Sequence, residues 1–207
     1  MNNIVKETLD ARYTIPAAPL DKVWLNGALR EVLDRLDAMI PRFTETFPAA
    51  AAVNGIYPAV EKVDWTEGFW VGMLWLAYEA TGDNNYRKAA EGLLSKFRTR
   101  LEQKVKTNTH DLGFLYSLSC VAAWKLTGNA EARSSALWAA DLLYERYNRT
   151  AGIVQAWGAL DDPAKQGRMI IDCNLNLPLL FWATAETGVQ WYAEAAKDHL
   201  HAKIINQ

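Results

Sequence analysis

Thr109-His110-Asp111-Leu112-Gly113-Phe114 stands where a charged, helix-patterned segment, Arg98 to Lys106, gives way to a run that is almost uniformly apolar from Leu112 to Leu126. Asp111 thus falls at the mouth of a buried helix, where an Asx side chain can cap exposed backbone N–H groups. For an isolated Asp, capping would be the whole account. Two features add to it. A His directly precedes the Asp, and Ile170-Ile171-Asp172-Cys173 repeats the placement about sixty residues on, again opening an apolar helix. Two carboxylates at equivalent ends of two buried helices are what general acid–base chemistry needs.

Outward from this stretch the chain repeats itself. The apolar run from Asp111 closes at Thr127-Gly128, an earlier one from Gly68 closes at Thr81-Gly82, and a later one from Asp172 closes at Thr187-Gly188. Glycine just past a helix end is a natural stop signal. After each stop comes a one-sided helix. Behind Asp83 the residues Tyr86, Ala89, Ala90, Leu93, Leu94, Phe97 and Leu101 form one stripe; Asn129 opens a helix through Leu137, Ala140, Tyr144 and Tyr147; and a third runs from Trp191 to Ile204. The unit is apolar helix, Thr-Gly, amphipathic helix, long loop. Such repeats predict stacked helical hairpins, with the all-round apolar helices inside and the one-sided ones outside. The loops joining outer to inner helices then gather at one end, together with His110, Asp111 and Asp172. Asp21 opens one further helix, with apolar residues from Leu25 to Ile40 and Pro41 as its stop. Residues 1–20, with Pro16 and Pro19 and no clear period, read as an N-terminal arm, and residues 21–207 as one helical domain.

With 207 residues, half of them apolar, 22% charged and a net charge of −2, the chain has a globular composition. No basic patch suits nucleic acid, and no stretch reads as a membrane span or secretory signal. Cys120 and Cys173 lie in apolar helical segments, so a disulfide framework is not indicated and a cytoplasmic home fits. The nine Trp are the unusual number. Trp70, Trp75, Trp124, Trp138 and Trp182 fall on apolar helix faces and read as core. Trp65 and Trp157 fall in loops, where stacking on a sugar ring accounts for them better than burial does. Trp24 and Trp191 have no clear place. His199 and His201 read as a solvated face.

Several motifs in register point to a family. They are Asp64-Trp65-Thr66-Glu67-Gly68-Phe69-Trp70, Gly72-Met73-Leu74-Trp75-Leu76-Ala77-Tyr78-Glu79, Thr81-Gly82-Asp83, His110-Asp111-Leu112-Gly113-Phe114, Gln155-Ala156-Trp157-Gly158, and Ile171-Asp172-Cys173 with Asn176-Leu177-Pro178-Leu179-Leu180. Together they resemble the unsaturated glucuronyl hydrolases, family 88 of the glycoside hydrolases, from about Asp21 to His201. Asn174 departs from the pattern, which has an apolar residue there. The resemblance implies an all-α fold, a six-hairpin α/α toroid. It implies an enzyme of polysaccharide degradation that removes a 4,5-unsaturated uronic acid from the non-reducing end of an oligosaccharide, with no cofactor and no metal.

In that family the reaction is hydration of a vinyl ether: a carboxylic acid protonates C4, water adds at C5, and the hemiketal collapses to release the sugar. The separation rule for retaining and inverting carboxylates therefore does not apply. By match of residue to residue, Asp172 is the proton donor and water activator and Asp111 its partner. His110, Trp65 and Trp157 shape the sugar site, while Asn176 either hydrogen-bonds substrate or caps a turn. Two neighbouring carboxylates do not both ionise easily, so one of them holds the proton the reaction needs.

From Asp21 onward there are seven helical segments, where a six-hairpin toroid takes about twelve, two to a hairpin. The chain is thus expected to supply about the first half of the toroid, completed by a C-terminal half or by self-association. Two other functions stay open on sequence grounds. One is a related hydrolase acting on unsaturated galacturonosyl-rhamnose; the other is an inactive helical module that binds sugar or a protein.

Overall fold

Three times in this structure a Thr-Gly pair closes an inner helix in the same way. Gly82, Gly128 and Gly188 have φ of 71°, 70° and 78°, and their N–H groups donate to Tyr78, Trp124 and Thr184 carbonyls four residues back. The preceding threonines, Thr81, Thr127 and Thr187, donate their hydroxyls to the carbonyls of Ala77, Ala123 and Ala183. Asp83 and Asn129 then cap the next helices, accepting from the N–H groups of Asn85 and Ala132. Each hairpin turn is thus written locally, in four or five residues, which is why the repeat is visible in the sequence.

The computed structural model describes residues 10, 21–61 and 64–205, with no side-chain description for 203–205. The N-terminal arm expected over residues 1–20 lies outside the described residues, Asp10 apart. The described residues fall into two compact units, divided between Met39 and Ile40. The first contains helix α1, Lys22–Met39, opened by the Asp21 carboxylate accepting from Val23 N–H.

The second unit begins with a 3-10 turn at Ile40–Arg42, where Pro41 stops helical hydrogen bonding. A short hairpin follows, with Phe47–Pro48 (β1) paired antiparallel to Ala59–Val60 (β2). Helix α2, Glu67–Thr81, packs against α3, Asn84–Glu102. Then come α4, Leu112–Tyr116, a π-helical turn at Ser117–Val121 and α5, Ala122–Thr127, which lie against α6, Ala130–Glu145. A second small hairpin, Tyr147–Asn148 (β3) with Ile153–Val154 (β4), starts the long loop. The last pair is α7, Leu177–Thr187, against α8, Gln190–Ile205. Inner α2, α4 and α7 touch in series, and outer α3, α6 and α8 touch in series behind them. No helix among the described residues is long and apolar enough to cross a membrane.

The inner helices are not quite what the apolar pattern implies. The run from Asp111 is one helix by periodicity, yet its middle is a π turn, with the Ser119 hydroxyl bound to the Leu115 carbonyl at 2.6 Å. The third inner helix starts at Leu177, later than its apolar pattern begins. Asp172 lies before it on a 3-10 segment, Ile171–Asn176, and Pro178 occupies the first turn of the α-helix proper. Nor is α2 covered on every side, since Phe69, Met73 and Leu76 are exposed along one stripe.

The core holds Trp70, Trp75, Tyr116, Phe97 and Leu115, each almost wholly buried, and Trp182 with them. Trp124 and Trp138, expected in the core, are only half-buried. Trp124 donates its indole N–H to Glu186, and Arg98 lies over the Trp138 ring. His199 is a clear correction. It is fully buried, with Nδ1 accepting from Val154 N–H at 2.8 Å, so it fastens α8 to β4. His201 is exposed, as expected.

Candidate active site

The site forms where the chain enters α4 and α7. His110 is held from its backbone: its N–H donates to Ala156 O at 2.7 Å, and its carbonyl accepts from Gly113 N–H at 2.9 Å. The neighbouring Thr109 bridges antiparallel to Trp157, so the loop after β4 lies beside the segment that leads into α4. Asp111 has helical φ and ψ, and its side chain makes no capping hydrogen bond. The N-cap reading of this aspartate is therefore corrected: the carboxylate is left for other uses.

That capping place is filled from elsewhere in the chain. Asn176, on the 3-10 segment before α7, accepts from Phe114 N–H through Oδ1 at 3.1 Å. The approach is close enough that a Cβ on Gly113 would lie 2.3 Å from Asn176 Cα. Gly113 is needed here because the two inner-helix entries touch backbone to backbone. Asn176 is 1% exposed, so of its two expected uses the structure supplies the cap, while its Nδ2 is buried without a partner.

The touching entries bring the two carboxylates together around one imidazole. His110 Nε2 lies 3.3 Å from Asp111 Oδ1 and 3.8 Å from Asp172 Oδ1. The histidine is fully buried, while the Asp111 and Asp172 side chains keep 21% and 35% of their surface open. The imidazole thus stands behind the two carboxylates, which face outward. Neither ring nitrogen has a hydrogen-bond partner among the described residues, and the buried Oδ1 of Asp172 has none. The donor atoms of all three side chains lie within 4.8 Å of one another, a spacing at which they can pass a proton or share a bound group, a metal ion included.

Two tryptophans flank this cluster, both about half exposed. Trp65 packs edge-on against Phe69 and Phe114, with ring centroids 6.1 and 6.0 Å away. Its loop is tied down by a buried ion pair. Arg100 donates to Glu67 Oε2 at 3.2 Å, to the Asp64 carbonyl at 2.9 Å and to the Lys106 carbonyl at 3.1 Å. Burial raises the Glu67 carboxyl above its ordinary value, with Arg100 pulling the other way. Trp157 stands at 72° to the His110 ring, 6.4 Å between centroids, with the Arg168 guanidinium over its indole. An open cavity of about 320 Å3 is lined by Trp65, Asp111, Asn108 and Lys106, among others. Trp65 and Asp111 line this cavity, while Trp157 and Asp172 are not part of its lining; an aromatic face beside an acid group fits a sugar ring.

Sequence reasoning gives no sign of Arg146. Coming just after α6, it looks like an ordinary last-turn cation, yet it is 3% exposed and reaches into the loop of Trp157. Burial lowers its guanidinium to about 10, against which the negative charge of Asp111 works.

Comparison with known proteins covers the segment that carries this site. The family model of Glycosyl Hydrolase Family 88 matches residues 36–204. The chain belongs to glycosyl hydrolase family 88. An unsaturated chondroitin disaccharide hydrolase of Streptococcus pneumoniae is 41% identical over 187 residues, 90% of this chain and 47% of that protein. An unsaturated glucuronyl hydrolase of a Bacillus species is 46% identical over 160 residues, 77% of this chain and 42% of that protein. The crystal structure of the unsaturated glucuronyl hydrolase of Streptococcus agalactiae superposes with a TM-score of 0.86 at 38% identity, covering 89% of this chain and 46% of that one. The chain thus spans about half the length of the family 88 relatives it matches. Its hairpins supply about half of an α/α toroid.

Proposed function

We propose that this family 88 chain belongs to an enzyme that removes 4,5-unsaturated uronic acid from the non-reducing end of oligosaccharides by hydrating the vinyl ether. The observation that carries the reading is the single imidazole of His110 facing both Asp111 and Asp172, with half-exposed Trp65 and Trp157 close by. Asp172, the more exposed carboxyl, delivers a proton to C4 of the unsaturated ring. Its carboxylate then takes a proton from water as the oxygen adds at C5, so the acid is regenerated within one turnover. The C5 hemiketal opens, the C1–oxygen bond to the next sugar breaks, and a free sugar leaves with no oxidation or reduction. Asp111 and His110 hold the charge around that proton. Trp65 and Trp157 stack on the sugar, and Asn176 keeps the two inner-helix entries in register beneath it.

The names of the relatives, which act on unsaturated glucuronyl and unsaturated chondroitin units, support an unsaturated uronide as substrate. We read the setting as cytoplasmic polysaccharide breakdown, where the two buried thiols, Cys120 and Cys173, keep out of disulfides. The test is direct. Incubation with unsaturated chondroitin disaccharide should bleach the ultraviolet absorbance of the conjugated uronate, and release the second sugar in equal amount. Binding of the disaccharide without bleaching would mark a sugar-binding module in place of an enzyme.

A further inference from the structure

The Trp157 turn is held by one buried cation. Arg146 donates through Nε to Gln155 O at 2.9 Å, through Nη2 to Gly158 O at 3.2 Å, and through Nη1 to the side-chain oxygen of Asn108. Its own carbonyl accepts from Gln155 N–H at 2.9 Å. Two of these acceptors bracket Trp157, and the third stands two residues before His110. The planar fork thus spans both segments that meet at the Thr109–Trp157 bridge. Gln155, itself buried, completes the turn by donating its amide to the carbonyls of Trp157 and Ala159, each at 3.2 Å.

All three acceptors of the guanidinium are neutral, and among the described residues no carboxylate forms an ion pair with it. A buried charge held only by dipoles is costly, so its use here is in the geometry that three simultaneous hydrogen bonds impose. Of the nearby charged groups, Asp111 acts on the guanidinium, and Arg168 lies over the Trp157 ring that the fork holds.

We propose that Arg146 is a positioning residue of this site: its fork sets Trp157 against His110. The inference rests on the hydrolase reading above for its kinetic part, and on geometry alone for the rest. Arginine serves here where lysine would not, because only a rigid fork reaches three acceptors at fixed angles.

The experiment compares Arg146→Met, Arg146→Lys and Asn108→Ala in the full-length protein labelled with 5-fluorotryptophan. The fluorine resonance of Trp157 is assigned by Trp157→Phe. In Arg146→Met we expect this resonance to shift or broaden while those of Trp70 and Trp75 stay, with kcat lowered and KM for the unsaturated disaccharide raised, each about tenfold or more. Arg146→Lys keeps the charge and loses the fork, so the Trp157 resonance stays displaced and KM stays high. Asn108→Ala, at an exposed residue, moves the same resonance less. If Arg146→Met does not fold, the lysine and Asn108 variants decide. An unmoved Trp157 resonance in both overturns the proposal, as do parent-like kcat and KM in a folded Arg146→Met, or full recovery of KM by lysine. Should the parent protein hydrolyse nothing, the function falls, while the fluorine spectra still decide whether Arg146 places Trp157.

Discussion

Asn176 reaches from the entry of one inner helix to the entry of the next, where its Oδ1 accepts from the Phe114 N–H, sixty-two residues away in the chain. This bond replaces the local cap that Asp111 does not make. We expect Asn176→Ala to lower stability by about 1–3 kcal/mol, since it leaves a buried N–H without a partner. Asn176→Asp restores an acceptor and should recover part of the loss. Urea melts of the three proteins check this; a change under about 0.5 kcal/mol in the alanine variant would show that the bond is idle.

Cys120 offers a test of burial. It lies 1% exposed within the π turn, and burial pushes its thiol up to about 12. At pH 8 only about one thiol in ten thousand is then a thiolate, and that fraction is shielded. We expect a thiol reagent to leave Cys120 unmodified in the native protein and to label it fully in denaturant. Peptide mass analysis after a short pulse reads the outcome. Rapid native labelling would mean that the π turn opens readily.

Glu67 makes stability depend on pH. Burial raises its carboxyl above the ordinary 4.5, against the pull of Arg100. A raised carboxyl holds its proton better in the folded chain than in the unfolded one. Its contribution is fully present below the ordinary value and is lost as pH rises through the folded one. We expect the stability gap between the parent and the non-titrating Glu67→Gln to narrow from acid to neutral pH. A gap that widens would show that attraction to Arg100 outweighs burial.

The hairpins were legible in the sequence because each is encoded in adjacent residues. Thr81-Gly82-Asp83 and Thr127-Gly128-Asn129 carry their own stop, hydroxyl bond and next cap. The meeting of His110, Asp111 and Asp172 was legible at a coarser level, since topology sends both helix entries to one end. What sequence could not show was anything decided across the fold. Asp172 sits on a 3-10 segment because the chain must pass Gly113 at backbone contact before α7 starts. His199 reads as a solvated residue because its partner, Val154 N–H, is forty-five residues back and leaves no local mark. Arg146 is silent for the same reason: its three acceptors lie in two loops outside α6.

The two aspartates should separate chemistry from stability. Asp111 makes no capping bond, and the buried Oδ1 of Asp172 has no hydrogen-bond partner among the described residues. Neither carboxylate therefore holds the fold in the way that Asn176 does. Asparagine keeps the shape of each side chain and removes the exchangeable proton. We expect Asp172→Asn to lower kcat at least about a hundredfold, which is about 2.7 kcal/mol of transition-state stabilisation. Binding of the unsaturated disaccharide should stay within about threefold, and the urea midpoint should shift by less than about 0.5 kcal/mol in stability. Asp111→Asn should also slow the reaction with little change in stability, because it removes one of the two carboxylates that face the His110 imidazole. Calorimetry of binding, a turnover assay and a melt on the same preparations decide it. More than about a tenth of parent activity in Asp172→Asn would leave under about 1.4 kcal/mol to this group, too little for the proton donor of the addition. Activity lost together with a large loss of stability would instead make Asp172 a structural residue, and the proton would have to come from another group in the cleft.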